Sequence, residues 1–191
     1  MAINIYVDQG HNPGNINGGA QGNGVVESEV TYRVGIYLAA LLFADQNFNV
    51  RVSRPFPDTV LGYDQSSSLQ ERVRQANEWP ADYFISIHVN SNPNPAINGS
   101  EVYVYRENSP AYELAGDVLD SIVNIVGTRY NQVRVNPSLY VLRRTSMPAI
   151  LIELAYLSNE QDAQKLLQDQ FAFAFAIYIG LLNYFGFPYE L

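Results

Sequence analysis

The stretch INIYVDQGHNPGNINGGAQGNGVVESEVTYRVGIYLAALLFADQN, residues 3–47, joins three kinds of sequence. Residues 3–7 are short, β-branched and continuously apolar, the pattern of a strand buried on both faces. Residues 27–47 set Val30, Val34, Tyr37, Leu41 and Leu42 on one helical face. Between them, residues 7–29 are polar and rich in glycine and asparagine. Structureless connections longer than about 12–15 residues in a compact domain are usually functional or disordered. This one carries one of the chain's 2 histidines, so it reads as a functional loop that something orders.

The strand, loop and helix pattern recurs down the chain. Residues 48–54 read as a strand, and 69–79 as a helix with Leu69, Val73 and Ala76 inward. Residues 82–90 read as a buried strand and 100–106 as an alternating one. Residues 109–127 form an amphipathic helix opened by Ser109 as N-cap and Pro110 at N1, with Gly127 to close it. LYVLRR (139–144) and PAILIEL (148–154) add two strands, followed by helices near 159–168 and 170–185. Strands alternating with helices predict an α/β fold: a single open, mostly parallel, mixed sheet of about six strands with helices on both faces. The length suits one domain over residues 1–191.

Composition narrows the chemistry. The formal net charge of −8, from 11 basic and 19 acidic residues, would repel nucleic acid phosphates and anionic lipid, so neither is expected as a partner. Without cysteine, disulfides, thiolate catalysis and sulfur-ligated metals are excluded, and a metal must bind through nitrogen and oxygen. The apolar run 171–187 reaches the lower edge of the about 17–25 residues that cross a bilayer, and it contains Asn183 and Gly186. It reads as a buried terminal helix, with no membrane insertion. No basic-then-apolar leader precedes the first strand, so a secretory signal is expected outside these residues.

In open α/β sheets ligands bind at the carboxyl ends of the strands. His11 follows the first strand, His88 ends FISIH, Glu153 ends PAILIE, and Glu27 opens the first long helix where the polar loop returns. Two histidines and one carboxylate are the donor set of a catalytic zinc site, which leaves a fourth position for water. His11, Glu27 and His88 make such a set, with Asp8 and Glu29 as competing carboxylates. A carboxylate at the end of an apolar strand is costly unless partnered. Glu153 therefore either pairs with Arg143 or Arg144 or serves as a general acid or base.

YVDQGHNPG (6–14) with GGAQGNGVVESE (18–29), then LQERVRQANEWPADYFISIHVNS (69–91), then LYVLRRTSMPAILIELAYLSNEQD (139–162) resemble, in that order, blocks of the zinc-dependent N-acetylmuramoyl-L-alanine amidases of type 3. The resemblance implies a single catalytic domain that cleaves the amide joining the lactyl group of N-acetylmuramic acid to L-alanine of the peptidoglycan stem peptide. It implies one zinc ion per chain on His11, Glu27 and His88, with Glu153 as the catalytic base. Asp8 is then expected to orient a ligand imidazole, Asn90 to hydrogen-bond substrate, and Arg143 to meet a stem-peptide carboxylate. Gln9 stands where many members have proline, and HNPG replaces the commoner HGG, departures that bear on substrate fit more than on ligand chemistry. The expected place of action is the cell wall or extracellular space, as for an autolysin, or the cytoplasm for a phage endolysin. Two rival readings are a non-catalytic peptidoglycan-binding module and a zinc peptidase or carboxypeptidase on a related fold.

Overall fold

The apolar runs become the middle of a sheet, as their burial on both sides requires. A computed structural model describes residues 2–189. Its elements are β1 (Ile3–Gln9), a hairpin of β2 (Gln21–Gly22) and β3 (Val25–Val26), α1 (Glu27–Ala44), β4 (Phe48–Val52), α2 (Gln65–Glu78), β5 (Tyr83–Asn90), β6 (Ser100–Val104), α3 (Pro110–Val126), β7 (Tyr130–Val135), α4 (Tyr140–Arg144), β8 (Ala149–Tyr156), α5 (Glu160–Gln168) and α6 (Gln170–Phe185). Among the described residues the main sheet has six strands in the order β4-β1-β5-β8-β6-β7. Every neighbouring pair is parallel except β6 and β8. This is the mixed, mostly parallel sheet that the alternating pattern predicts.

Alternation along the central strands divides the core in two. Ile5, Val7, Ile85, Ile87, Ile150 and Ile152 pack in one cluster with residues of α1, α3 and α6. Tyr6, Phe84, Ala149 and Leu151 face the other way, onto Val73 and Ala76 of α2 and Val141 and Leu142 of α4. Helices therefore cover both faces. The stripe of α1 runs through Val30, Val34, Leu38 and Leu42, while Tyr37, expected inward, is 41% exposed. α2 starts at Gln65 rather than 69, because Asp64 and Ser67 form a reciprocal capping box ahead of the apolar residues. α3 keeps the Ser109 cap, Pro110 and the left-handed Gly127 that its sequence signals.

Two elements differ from the sequence reading. LYVLRR is not a strand: Tyr140–Arg144 is a short helix that buries the adjacent residues Val141 and Leu142 together. A strand would send neighbours to opposite faces. The strand at that end of the sheet is instead β7, which pairs with β6 at the edge. As an edge strand it buries few of its residues, so YNQVRV lacks the apolar signature of the central strands. The run 171–187 is a helix over its length to Phe185, packed against α3 and α1, and among the described residues no single helix is long and apolar enough to cross a membrane.

A buried ion pair ties α2 to the sheet. Arg72 is 1% exposed, and its guanidinium donates to Asp8 Oδ1 at 2.6 Å, to the carbonyls of Gln9 and His11, and to Asn12 Oδ1. Ser86 of β5 donates to the other Asp8 oxygen at 2.8 Å. Burial works to raise the Asp8 carboxyl, but Arg72 outweighs it and holds the group below the usual carboxylate range.

Two stability predictions follow from this packing. A Cβ on Gly180 would lie 2.5 Å from Val118 Cα, where α6 crosses α3. Gly180→Ala should therefore destabilise by about 1–3 kcal/mol, reversing the gain of up to about 1 kcal/mol that helix propensity alone gives, and urea unfolding would read the sign directly. Arg72→Met strands a buried carboxylate and should cost about 3–5 kcal/mol, with Asp8→Asn in the same chain recovering part of the loss.

Candidate metal centre and active site

Glu27 is the first residue of α1, and both histidines converge on it. Its Oε1 lies 3.0 Å from His11 Nε2 and 3.1 Å from His88 Nδ1. The backbone N–H of Val89 also donates to Oε1 at 3.0 Å, and that of Ala20 donates to Oε2 at 2.8 Å. The side chain is thus clamped between the end of β5 and the returning polar loop. Burial works to raise this carboxyl, but the hydrogen bonds and charge of the two imidazoles win and hold it far below its ordinary value. Burial likewise depresses His11, and Glu27 more than offsets it, leaving the imidazole raised.

The tautomer follows from the far side of the ring. His11 Nδ1 is 3.1 Å from both the backbone carbonyl and the side-chain oxygen of Asn17, so a proton on Nδ1 is donated there. Nε2 then presents its lone pair toward a carboxylate oxygen. Two lone pairs at this separation repel unless a proton or metal cation lies between them. The donor atoms of His11, Glu27 and His88 all lie within 4.8 Å of one another, a nitrogen–nitrogen–oxygen set that suits zinc.

The opening loop supplies this geometry. His11 has φ 65°, a left-handed conformation uncommon outside glycine and one that clusters at functional sites. Buried Asn12 pins the loop to the chain around Leu61, donating to its carbonyl at 2.9 Å and accepting from its N–H at 3.1 Å. Gly19, at φ 78°, passes so close that a Cβ would meet Glu27 Oε2 at 2.7 Å and His11 Cγ at 2.8 Å. What orders this loop includes its own asparagines, Asn12 and Asn17, and the carboxylate of Glu27.

Glu153 is the register partner of His88 across β5 and β8, so the two side chains share a sheet face. Its Oε2 is shut off from solvent with no hydrogen-bond partner. Burial, then the charges of Glu27 and Glu101, push its carboxyl well above the usual range. The alternative ion pair to Arg143 or Arg144 is absent among the described residues.

The remaining assignments shift. Arg143 sits on α4, its guanidinium 6.0 Å from the centre of the Tyr140 ring, and lines a hollow with Arg106, Met147, Pro148 and Ala149. That hollow lies at Ala149, the first residue of β8, because LYVLRR is helical and does not run toward the cleft; Glu153 stands further along β8, which runs on past it to Tyr156 rather than ending there as the sequence suggests. Asp8 bonds Arg72 and Ser86 rather than an imidazole, and reaches His11 through the Arg72 guanidinium on the His11 carbonyl. Asn90 lies beside the site but commits its side-chain N–H to Glu101 at 2.6 Å. Glu29 is exposed on α1 and stands outside the metal-binding group. Glu101 escaped the sequence reading. The signal was an acidic residue at the start of SEVYV, an alternating strand whose neighbours Ser100 and Val102 are both buried.

Comparison with known proteins agrees with this architecture. The family model described as N-acetylmuramoyl-L-alanine amidase matches residues 5–183. The chain is 33% identical over 185 residues to N-acetylmuramoyl-L-alanine amidase LytC of Bacillus subtilis, covering 95% of this chain and 35% of the relative. It is 33% identical over 171 residues to amidase CwlM of Bacillus licheniformis, covering 88% of this chain and 62% of the relative. Both relatives are substantially longer than the part this chain spans. The crystal structure of an N-acetylmuramoyl-L-alanine amidase from Clostridium difficile 630 superposes with a TM-score of 0.85 at 28% identity, covering 97% of each chain. With the family match spanning nearly all of the sheet and the whole histidine–glutamate cluster, this chain belongs to the N-acetylmuramoyl-L-alanine amidase family.

Proposed function

We propose that this chain is a zinc-dependent peptidoglycan hydrolase that cleaves the amide between the lactyl group of N-acetylmuramic acid and L-alanine of the stem peptide. The observation that carries the reading is the convergence of His11 Nε2 and His88 Nδ1 on Glu27 Oε1, beside a Glu153 carboxylate oxygen that has no partner of its own. Family membership supplies the bond and the substrate. The place of action is accordingly the cell wall.

His11, Glu27 and His88 would hold one zinc ion. When bound, zinc supplies Lewis acidity, polarising the scissile carbonyl and acidifying the attacking water. Asn17 fixes the His11 ring so that Nε2 faces the metal, and the Val89 and Ala20 N–H groups hold the Glu27 carboxylate in place. Glu153 accepts the proton released by the attacking water and delivers it to the departing nitrogen, which leaves as the free amine of L-alanine. The environment of Glu153 suits this traffic. Its burial and its acidic neighbours raise its proton affinity, and no hydrogen bond has to be broken before it takes a proton.

Three outcomes are expected. Purified protein should hold one zinc per chain by elemental analysis, and His11→Ala and His88→Ala should lose it while their circular dichroism stays folded. Retention of full zinc by both variants would refute the ligand set. Digestion of purified cell wall should expose new L-alanine amino termini without new reducing sugars, whereas a peptidase would expose amino termini of other residues. Glu153→Gln should keep its zinc and lose about 10²–10⁴-fold in rate, as expected for removal of a positioned acid or base. Near wild-type hydrolysis by Glu153→Gln, or loss of its zinc, would refute the base assignment.

A further inference from the structure

Sheet register lays out a row of side chains leading away from the metal-binding group. His88 of β5 stands opposite Glu153 of β8, and Glu153 stands opposite Glu101 of β6. Register partners share a face, and neighbouring strands lie about 4.8 Å apart. The next strand is β7, where Arg134 pairs with Tyr103 of β6. Arg134 reaches back so that its Nε donates to Glu101 Oε2. The other Glu101 oxygen accepts from Asn90 Nδ2 and from the Tyr156 hydroxyl, each at 2.6 Å. Glu101 is 2% exposed, while the Arg134 side chain is 48% exposed. A buried carboxylate thus anchors a guanidinium on a half-exposed side chain.

Arg134 opens onto a hollow of about 490 Å³, lined by Glu101, Tyr103, Arg129, Asn131 and Tyr156 among others. Its charged lining is two guanidiniums against one carboxylate, a formal excess of one positive charge on a chain whose net charge is −8. Guanidiniums with free N–H pairs select planar anions such as carboxylates.

We propose that this hollow is a subsite for a carboxylate of the stem peptide, with Arg134 and Arg129 as its donors and Glu101 as the positioning residue of Arg134. The proposal rests on the amidase reading above. Substrate chemistry fixes the direction. The lactyl carboxyl is consumed in the scissile amide, so the negative charge lies on the side of the departing amine. Distance selects the residue: the hollow lies one to two strand spacings from Glu153, about 5–10 Å. Two extended residues span at most about 7 Å. The carboxylate that fits is the free α-carboxylate of the second stem residue, a γ-linked D-glutamate. The same logic places the Arg143 hollow out of reach, at the far end of β8.

The test is calorimetric titration of zinc-supplemented protein with L-alanyl-D-glutamate and with its α-carboxamide counterpart, L-alanyl-D-isoglutamine. The carboxylate peptide should bind about tenfold or more tightly than the carboxamide. Arg134→Gln and Arg129→Gln should each shrink that ratio, their combination should bring it near one, and Arg134→Lys should retain part of it. Arg129 lies outside the Glu101 pair, so its variant reads the subsite even if Arg134→Gln folds poorly. Equal affinity of the two peptides for the wild type, or a ratio that survives the double substitution, would overturn the proposal. Failure of the amidase reading looks different: neither muramyl form of these peptides would be cleaved while the charge preference in binding persisted, and that preference would still support the subsite.

Discussion

The carboxylate of Glu27 is the constraint around which the rest of the site is arranged. It is buried, it carries charge, and it survives in the interior because four nitrogen donors surround it: the N–H groups of Val89 and Ala20 hydrogen-bond to it, and two imidazole nitrogens stand where a shared proton or cation would compensate it. Those donors come from three separate parts of the chain, the first loop, its return through Ala20, and the end of β5. Each part must be in position for the carboxylate to be compensated, since a buried, unpaired charge is heavily penalised. Folding of the loop and assembly of the His11–Glu27–His88 group are therefore one event. A polar loop with so little apolar surface is ordered because it supplies partners for a charge that has no other source of them.

The sheet provides the ruler for the chemistry. Because β1, β5 and β8 are parallel neighbours, their carboxyl ends lie at one edge, and His11, His88 and Glu153 arrive there together. The reversal at β6 brings the amino end of that strand to the same edge, which is how Glu101 comes to stand opposite Glu153. A parallel β6 would have placed its start, and the buried acid on it, at the opposite side. One antiparallel pair thus extends the row from His88 past Glu153 to Arg134. The carboxylates in that row repel one another, and the structure answers each differently. Glu27 is compensated by imidazoles, Glu101 by Arg134, Asn90 and Tyr156, and Glu153 is left without a partner. Unequal compensation holds the Glu27 carboxyl low and pushes the Glu153 carboxyl up, the separation that a metal ligand and a general base would need.

Behind this edge, a second buried charge holds the frame. Arg72 joins α2 to Asp8 and to the carbonyls of Gln9 and His11, so the backbone that presents the first histidine is tied to the helix beneath it. Arg54 adds to this, donating to the carbonyls of His11 and Ser28. Backbone carbonyls around His11 are in this way satisfied by guanidiniums rather than by a regular ladder, consistent with the left-handed turn the chain makes there.

The sequence by itself determined the elements whose signals are local. Short β-branched apolar runs bounded by turn residues read as strands covered on both faces, the Ser109–Pro110 and Gly127 signals bound α3, and histidines and acids near the ends of such runs fall toward one sheet edge. The shared location of His11, His88 and Glu153 was legible for that reason, and that of Glu27 from its place at the mouth of α1. Tertiary structure decided what depends on pairing across the chain. YNQVRV becomes a strand because β6 offers it an edge, and LYVLRR becomes a helix because two adjacent side chains must be buried in one place. With those two reversals Arg143 lies beside the start of β8, and Arg134 stands against Glu101. Asp8 likewise turns from an imidazole to Arg72, since α2 delivers a charged partner that lies 64 positions away in sequence. Register and partner choice are sums over distant residues, and composition and periodicity within one segment carry no record of them.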